Sequence, residues 1–216
     1  MVSNRNIDQV LRTVRRVVRR WEEPVVSRYR EDPFTTLISC LLSLRTKDET
    51  TRAASQRLFH LARTPRTMLR LSTRTIERAI FPVGFYRTKA RTIRAVCRTL
   101  LTRHGGRVPE DLEELLAIKG VGRKTANLVV TLAFAKDGIC VDTHVHRISN
   151  RWGYVRTNTP EQTEMALRGK LPRQYWRIYN DLLVTLGQNL CHPTSPWCSR
   201  CPLSHACSRR GVLRSR

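Results

Sequence analysis

The sequence predicts an all-α protein, and three observations carry the prediction. No segment alternates apolar and polar residues with period two over a useful length, helix-start signals recur, and the apolar residues between them fall at helical spacing. With 216 residues, 40% hydrophobic and 26% charged, the chain has the balance of a folded protein and room for one or two packed domains. No internal repeat or low-complexity linker divides it.

The first predicted helix covers Asn4 to Trp21, where Val10, Leu11, Val14, Val17, Val18 and Trp21 share one face. The segment is also arginine-rich and amphipathic in the manner of a mitochondrial presequence, so both a packed helix and a targeting helix stay open here. Asp32 before Pro33 gives the second helix a cap and a first-turn proline, and Phe34, Leu37, Ile38, Leu41 and Leu42 continue it. Thr46 to Glu49 has the form of a capping box for a third helix running to about Leu61. Further helices are expected at 65–71, 73–80, 87–104, 110–116, 123–135, 143–152, 160–170 and 173–190. Thr159-Pro160-Glu161-Gln162 caps the penultimate one, and Leu171-Pro172 separates it from the aromatic helix Tyr175 to Leu190.

Forty Lys and Arg against seventeen Asp and Glu leave a formal charge of +23. Such an excess repels itself unless a polyanion neutralises it, so nucleic acid is the first expected partner and an anionic membrane surface the second. No apolar run approaches the roughly 18 residues of a membrane span, and the N-terminus lacks the apolar core of a secretory signal, so a cytoplasmic, nucleoid-associated location is expected. Only Lys47, Lys89, Lys119, Lys124, Lys136 and Lys170 are lysines; the other cations are arginines.

Seven cysteines in a reducing compartment do not suggest a disulfide framework. Cys40, Cys97 and Cys140 stand singly among apolar residues and read as buried thiols. Cys191, Cys198, Cys201 and Cys207 lie within seventeen residues and offer four thiolates, a complete ligand set for an iron–sulfur cluster or for tetrahedral zinc.

Between two helical patterns lies Ile118-Lys119-Gly120-Val121-Gly122-Arg123-Lys124-Thr125-Ala126-Asn127, which has the form of a helix-hairpin-helix turn. Its glycines permit a tight reversal, and the positive end of the following helix is then open to a phosphate. A plain αα-corner would use the same glycines only to turn. Lys124 falls in the first turn of a helix whose continuation is apolar, where dipole and desolvation disfavour the ammonium form, as an amine nucleophile requires. A phosphate-binding lysine is the alternative. Eighteen residues on, Val141-Asp142-Thr143-His144 puts a carboxylate at a helix start, where it can be a plain cap or a catalytic group.

Together with Leu41-Leu42-Ser43, Arg147 and the cysteine spacing, these residues resemble the endonuclease III family, the iron–sulfur branch of the helix-hairpin-helix DNA glycosylases. The resemblance runs from about residue 7 to 207. It implies two helical lobes with a cleft between them: a six-helix barrel of residues 23–136 holding the hairpin, and a cluster lobe of residues 1–22 plus 137–216. It implies a bifunctional glycosylase and AP lyase that removes oxidised or ring-damaged pyrimidines from damaged double-stranded DNA, acting as a monomer. Lys124 becomes the Schiff-base nucleophile, Asp142 the essential carboxylate, and both lie at the cleft mouth. Lys119, Gly120, Gly122, Arg123 and Thr125 contact DNA, while Ser43, Asp48 and His144 belong to the lesion pocket. Cys191, Cys198, Cys201 and Cys207 hold a [4Fe-4S] cluster, and the carbonyls of Leu116, Ile118 and Val121 bind a monovalent cation.

Three departures bear on specificity. Lys119 stands where the family usually has proline, Ser43-Leu44-Arg45 replaces Ser-Ala-Gln, and Phe85 precedes Tyr86 where leucine is usual. Arg45 and Phe85 are therefore expected as the side chains inserted into the DNA stack from opposite sides of the cleft, against the alternative of a phosphate contact and a core residue. Rival functions are a pyrimidine-dimer or mismatch glycosylase of the same fold, a non-catalytic DNA clamp, and a metal-stabilised RNA-binding module.

Overall fold

In the computed structural model, which describes residues 1–216, the chain forms eleven α-helices and no strand. They are α1 (Ile7–Val18), α2 (Pro33–Ser43), α3 (Asp48–Leu61), α4 (Pro65–Arg70), α5 (Thr73–Ile80), α6 (Tyr86–Arg103), α7 (Leu112–Leu116), α8 (Arg123–Leu132), α9 (Thr143–Arg151), α10 (Pro160–Arg168) and α11 (Trp176–Asn189). Short 3-10 turns occupy Val25–Tyr29 and Arg173–Tyr175. The chain divides into two compact units, residues 25–138 and residues 1–24 with 139–216. No helix is long and apolar enough to cross a membrane.

In the 25–138 unit, Asp32 starts the central helix. Its Oδ1 accepts from Phe34 N at 3.1 Å and Pro33 fills the first turn. Every residue of α2 from Phe34 to Leu42 is buried, because α3, α6, α8 and the first 3-10 turn surround it. The short helices α4 and α5 begin at Thr64 and Ser72, whose hydroxyls accept from Thr67 N (3.2 Å) and Thr75 N (3.0 Å). Both pack on α6, which buries Ala90, Ile93, Val96, Cys97 and Leu100 along one face. Burial pushes the Cys97 thiol up to about 12 and leaves it inert.

The capping box read at Thr46 to Glu49 does not form. Lys47 is the N-cap of α3 without a side-chain bond. The Thr46 hydroxyl instead accepts from Gly84 N and from Lys89 Nζ, each at 3.2 Å. A buried ammonium arriving from α6 competes with the local cap and wins. α8 stops at Leu132 rather than 135, since Ala135 turns left-handed (φ 54) and Lys136 N returns to the Val130 carbonyl at 3.1 Å. The aromatic helix begins at Trp176, after a 3-10 turn set by Pro172.

In the second unit, α1 buries Ile7, Val10, Leu11 and Val14 and packs on α11, so the arginine-rich N-terminal segment is a structural helix of the fold. α9 packs on α10 and α11. Tyr179 of α11 is fully enclosed and its hydroxyl meets Ser149 Oγ at 3.0 Å, so a buried polar group has its partner.

Candidate active site and DNA-facing surface

The hairpin belongs to the 25–138 unit. Asp111 caps α7 by accepting from Glu113 N (2.8 Å) and Glu114 N (3.1 Å), and Val121 N closes the reversal on the Ile118 carbonyl at 2.9 Å. Gly120 sits at φ +96, and a Cβ there would meet Thr92 Cγ2 at 2.6 Å, so only glycine fits. Gly122 is the N-cap of α8, where no side chain caps the helix and a Cβ would meet nothing within 4 Å. The positive end of α8 thus faces a surface kept clear of side-chain atoms. Lys119 is exposed, Arg123 and Lys124 are half-buried in the first turn, and Thr125 is buried.

Asp142 belongs to the second unit. It caps α9: Oδ1 accepts from His144 N and Val145 N, both at 2.9 Å, and the residue is only 9% exposed. Two main-chain donors fix the carboxylate, a state compatible with a catalytic role as well as with capping. His144 is oriented by Arg147, whose Nη2 lies 3.0 Å from His144 Nδ1 and 2.9 Å from the Cys191 carbonyl. At the other end of α9, buried Arg151 donates to the carbonyls of His192 and Pro193 at 2.6 Å each and to Cys191 Sγ at 3.3 Å. The helix that Asp142 begins is therefore the helix that grips the cysteine loop.

Cys191, Cys198, Cys201 and Cys207 are free, half-buried, and line one small cavity of about 30 Å³ with Trp152, Leu186, Leu190 and Trp197. No three His, Cys, Asp or Glu side chains come together as the ligands of a single metal ion. Burial, with the neighbouring thiols, raises Cys201 to about 11. The tail closes over this loop: Arg216 N donates to the Pro196 carbonyl at 2.8 Å, and Arg200 and Arg216 cover Trp197 at 4.4 and 4.8 Å.

Arg45 and Phe85 are not on opposite sides of a cleft; they form one tip of the 25–138 unit. The Arg45 guanidinium lies 5.3 Å over the Phe85 ring. Both residues are left-handed (φ 54 and φ 58), and Phe85 is 63% exposed, which removes the core alternative. Gly84 lets the two segments meet, since a Cβ there would lie 2.7 Å from the Arg45 carbonyl oxygen. Beneath them Lys89 Nζ donates to the carbonyls of Leu42 (2.7 Å) and Leu44 (2.6 Å) and to Thr46. Burial lowers its pKa to about 8. Of the three expected pocket residues, Ser43 donates back to the Cys40 carbonyl at 2.8 Å and Asp48 Oδ2 accepts from Val25 N at 3.2 Å, so both also brace their own unit.

Residues 38–173 match the model of the HhH-GPD superfamily base excision DNA repair proteins. The endonuclease III of Thermotoga maritima is 48% identical over 183 residues, covering 83% of this chain and 86% of its own. A solved non-covalent endonuclease III–DNA complex superposes with a TM-score of 0.87 at 34% identity, and a trapped endonuclease III–DNA covalent intermediate with an estranged adenine gives 0.86 at 33%; each comparison covers 97% of both chains. The chain belongs to the endonuclease III family. It is a DNA glycosylase/AP lyase of base excision repair with that family's all-helical fold.

For an endonuclease III-family chain, the residues that sequence reasoning missed are the internal braces. Lys89 and Arg151 act through carbonyls far away in sequence, and neither carries a local motif. The one available signal was the scarcity of lysine, which marks Lys89 but does not give its partner.

Proposed function

We propose that this chain excises oxidised or ring-damaged pyrimidines from duplex DNA and then cuts the strand, with Lys124 as nucleophile and Asp142 as the essential carboxylate. The observation that carries the reading is Lys124 in the first turn of α8, directly behind the Gly120–Gly122 reversal with its uncapped helix end. A paired base is out of reach, so the nucleotide is extruded, with its backbone held by the hairpin amides and by Lys119, Arg123 and Thr125. Lys124 attacks C1′ through its nitrogen lone pair, and the base leaves with the glycosidic electron pair. The fixed Asp142 carboxylate stabilises the positive charge that develops on the sugar. Loss of a proton from nitrogen and opening of the C1′–O4′ bond then give an iminium, which acidifies the C2′ proton; loss of that proton expels the 3′ phosphate by β-elimination, and water then releases Lys124.

The four half-buried thiols around one cavity fit a [4Fe-4S] cluster in donor type and number. When bound, the cluster supplies four iron–thiolate bonds that organise residues 191–207 and takes no part in base removal. The hairpin carbonyls of Leu116, Ile118 and Val121 remain the proposed cation site; Ile118 O already accepts from Val121 N and keeps a second lone pair. The protein works as a monomer on damaged DNA in the cytoplasm. Arg45 and Phe85 favour one second reading, a mismatch or pyrimidine-dimer glycosylase, because they replace the side chains that probe the opposite base.

The test is strand cutting on duplexes carrying thymine glycol, uracil, an abasic site or 8-oxoguanine, with borohydride added to trap an imine. Thymine glycol should be cut and trapped. Lys124→Gln should remove the adduct while lesion binding persists, and Asp142→Asn should lower excision by orders of magnitude with DNA binding kept. An undiminished adduct in Lys124→Gln refutes the assigned nucleophile.

A further inference from the structure

Beside the Arg45–Phe85 tip, α5, the turn after it and the start of α6 form a shallow, open cavity of about 220 Å³, lined by Arg74, Glu77, Arg78, Phe81, Tyr86 and Arg87. Phe81 is 57% exposed, although a phenyl ring gains from burial and usually finds it. The ring is nonetheless held in place. Arg57 donates from Nε to the Ala79 carbonyl at 2.8 Å and from Nη2 to the Phe81 carbonyl, which fixes the backbone of the turn. Tyr86 meets Phe81 edge-on, with centroids 5.4 Å apart and planes at 86°, and Arg87 lies 5.3 Å over the Tyr86 ring.

Three guanidinium groups against the single carboxylate of Glu77 give the cavity a positive balance. A supported aromatic ring open to water and flanked by guanidinium groups is the combination that stacks an unpaired base while neutralising its phosphate. Fully paired duplex DNA hides its base faces, so it can use the arginines but not the ring.

We propose that this cavity binds one unpaired nucleotide of DNA, its base stacked on Phe81 and its phosphate on Arg74, Arg78 and Arg87. The site is separate from Lys124 and Asp142 and rests on the proposed function only in that DNA is the ligand. It gives the protein a hold on unpaired DNA next to the tip where the stack would be opened.

The experiment measures binding of the full chain to labelled oligothymidine, to the same oligomer lacking its bases, and to an undamaged duplex, by fluorescence anisotropy at one salt concentration. Phe81→Ala should weaken oligothymidine binding about tenfold, the loss of one stacked base, with duplex binding within about twofold. Phe81→Trp should restore it. Arg78→Gln should weaken oligothymidine binding and reduce its salt slope by about one. Because Phe81 and Arg78 are exposed, melting temperatures should hold. Unchanged oligothymidine binding in Phe81→Ala overturns the site, as does an equal loss on duplex, or wild-type binding that ignores removal of the bases. Lesion cutting by the wild type is scored separately, so a protein that cuts lesions but shows none of these effects loses only this site.

Discussion

Lys89 is buried to 8% exposure and gives its three ammonium protons to the Leu42 and Leu44 carbonyls and to Thr46. Those bonds hold both ends of the segment that carries Arg45 in a left-handed conformation, a state that a non-glycine residue adopts only when its surroundings over-determine it. Burial opposes the charge and brings the Lys89 pKa to about 8 from 10.5. The sign of the linkage follows. Between pH 8 and 10.5 the unfolded chain keeps a proton that the folded chain has released, so stability rises with pH across that window. Wild type should therefore gain stability relative to Lys89→Met as pH is raised from about 8 to 10.5, read by denaturant titration of both proteins. A difference that stays flat or falls would contradict the buried-ammonium account. At pH 7.5 the same variant should slow excision of a stably paired lesion by about tenfold while cutting a ready-made abasic site at near wild-type rate, because only the first substrate needs the tip to open the stack.

The helix α9 joins two chemistries by its two ends. Its N-terminus is capped by Asp142, and its C-terminal half holds the cysteine loop through Arg147 and Arg151. Metal binding and folding are coupled in such loops, so Cys198→Ala should lose the broad visible absorbance of an iron–sulfur protein and expose residues 191–216 to protease. DNA affinity should fall by about tenfold or more, while the borohydride adduct formed per bound DNA stays near wild type. A colourless, soluble variant with normal DNA affinity would remove the loop from the DNA-binding surface. Elements governed by local chemistry were legible in the sequence: Asp32-Pro33 and Thr159-Pro160 cap as read, and the Gly120–Gly122 reversal turns as read. Thr46 does not cap, because its hydroxyl is engaged by a lysine 43 residues away, and α8 ends early although Ala133, Ala135 and Lys136 are good helix formers, because the chain turns back at Ala135. The joining of Arg45 to Phe85 is a tertiary event with no periodicity behind it.

The +23 charge is shared almost evenly between the two units, yet not every cation faces DNA. Several arginines stitch the chain to itself: Arg57, Arg94, Arg147 and Arg151 donate to main-chain carbonyls at the ends of helices and in loops. A planar guanidinium can reach two carbonyls at once where an ammonium on a flexible stem holds them less rigidly, which accounts for part of the preference for arginine. Formal charge therefore overstates the number of phosphates neutralised, and the two kinds of cation can be separated by their salt dependence. Binding of undamaged duplex should weaken steeply with salt, the logarithm of the association constant falling by about 0.9 per decade for each phosphate contact. Lys119→Gln, at an exposed hairpin position, should reduce that slope by about one with an unchanged melting temperature. Arg94→Gln removes the donor to the Leu69 and Leu71 carbonyls at the end of α4, so it should lower the melting temperature while leaving the slope as in wild type. The reverse pattern, a slope lost with Arg94 and kept without Lys119, would mean that the stitching arginines contact DNA and that the hairpin surface does not.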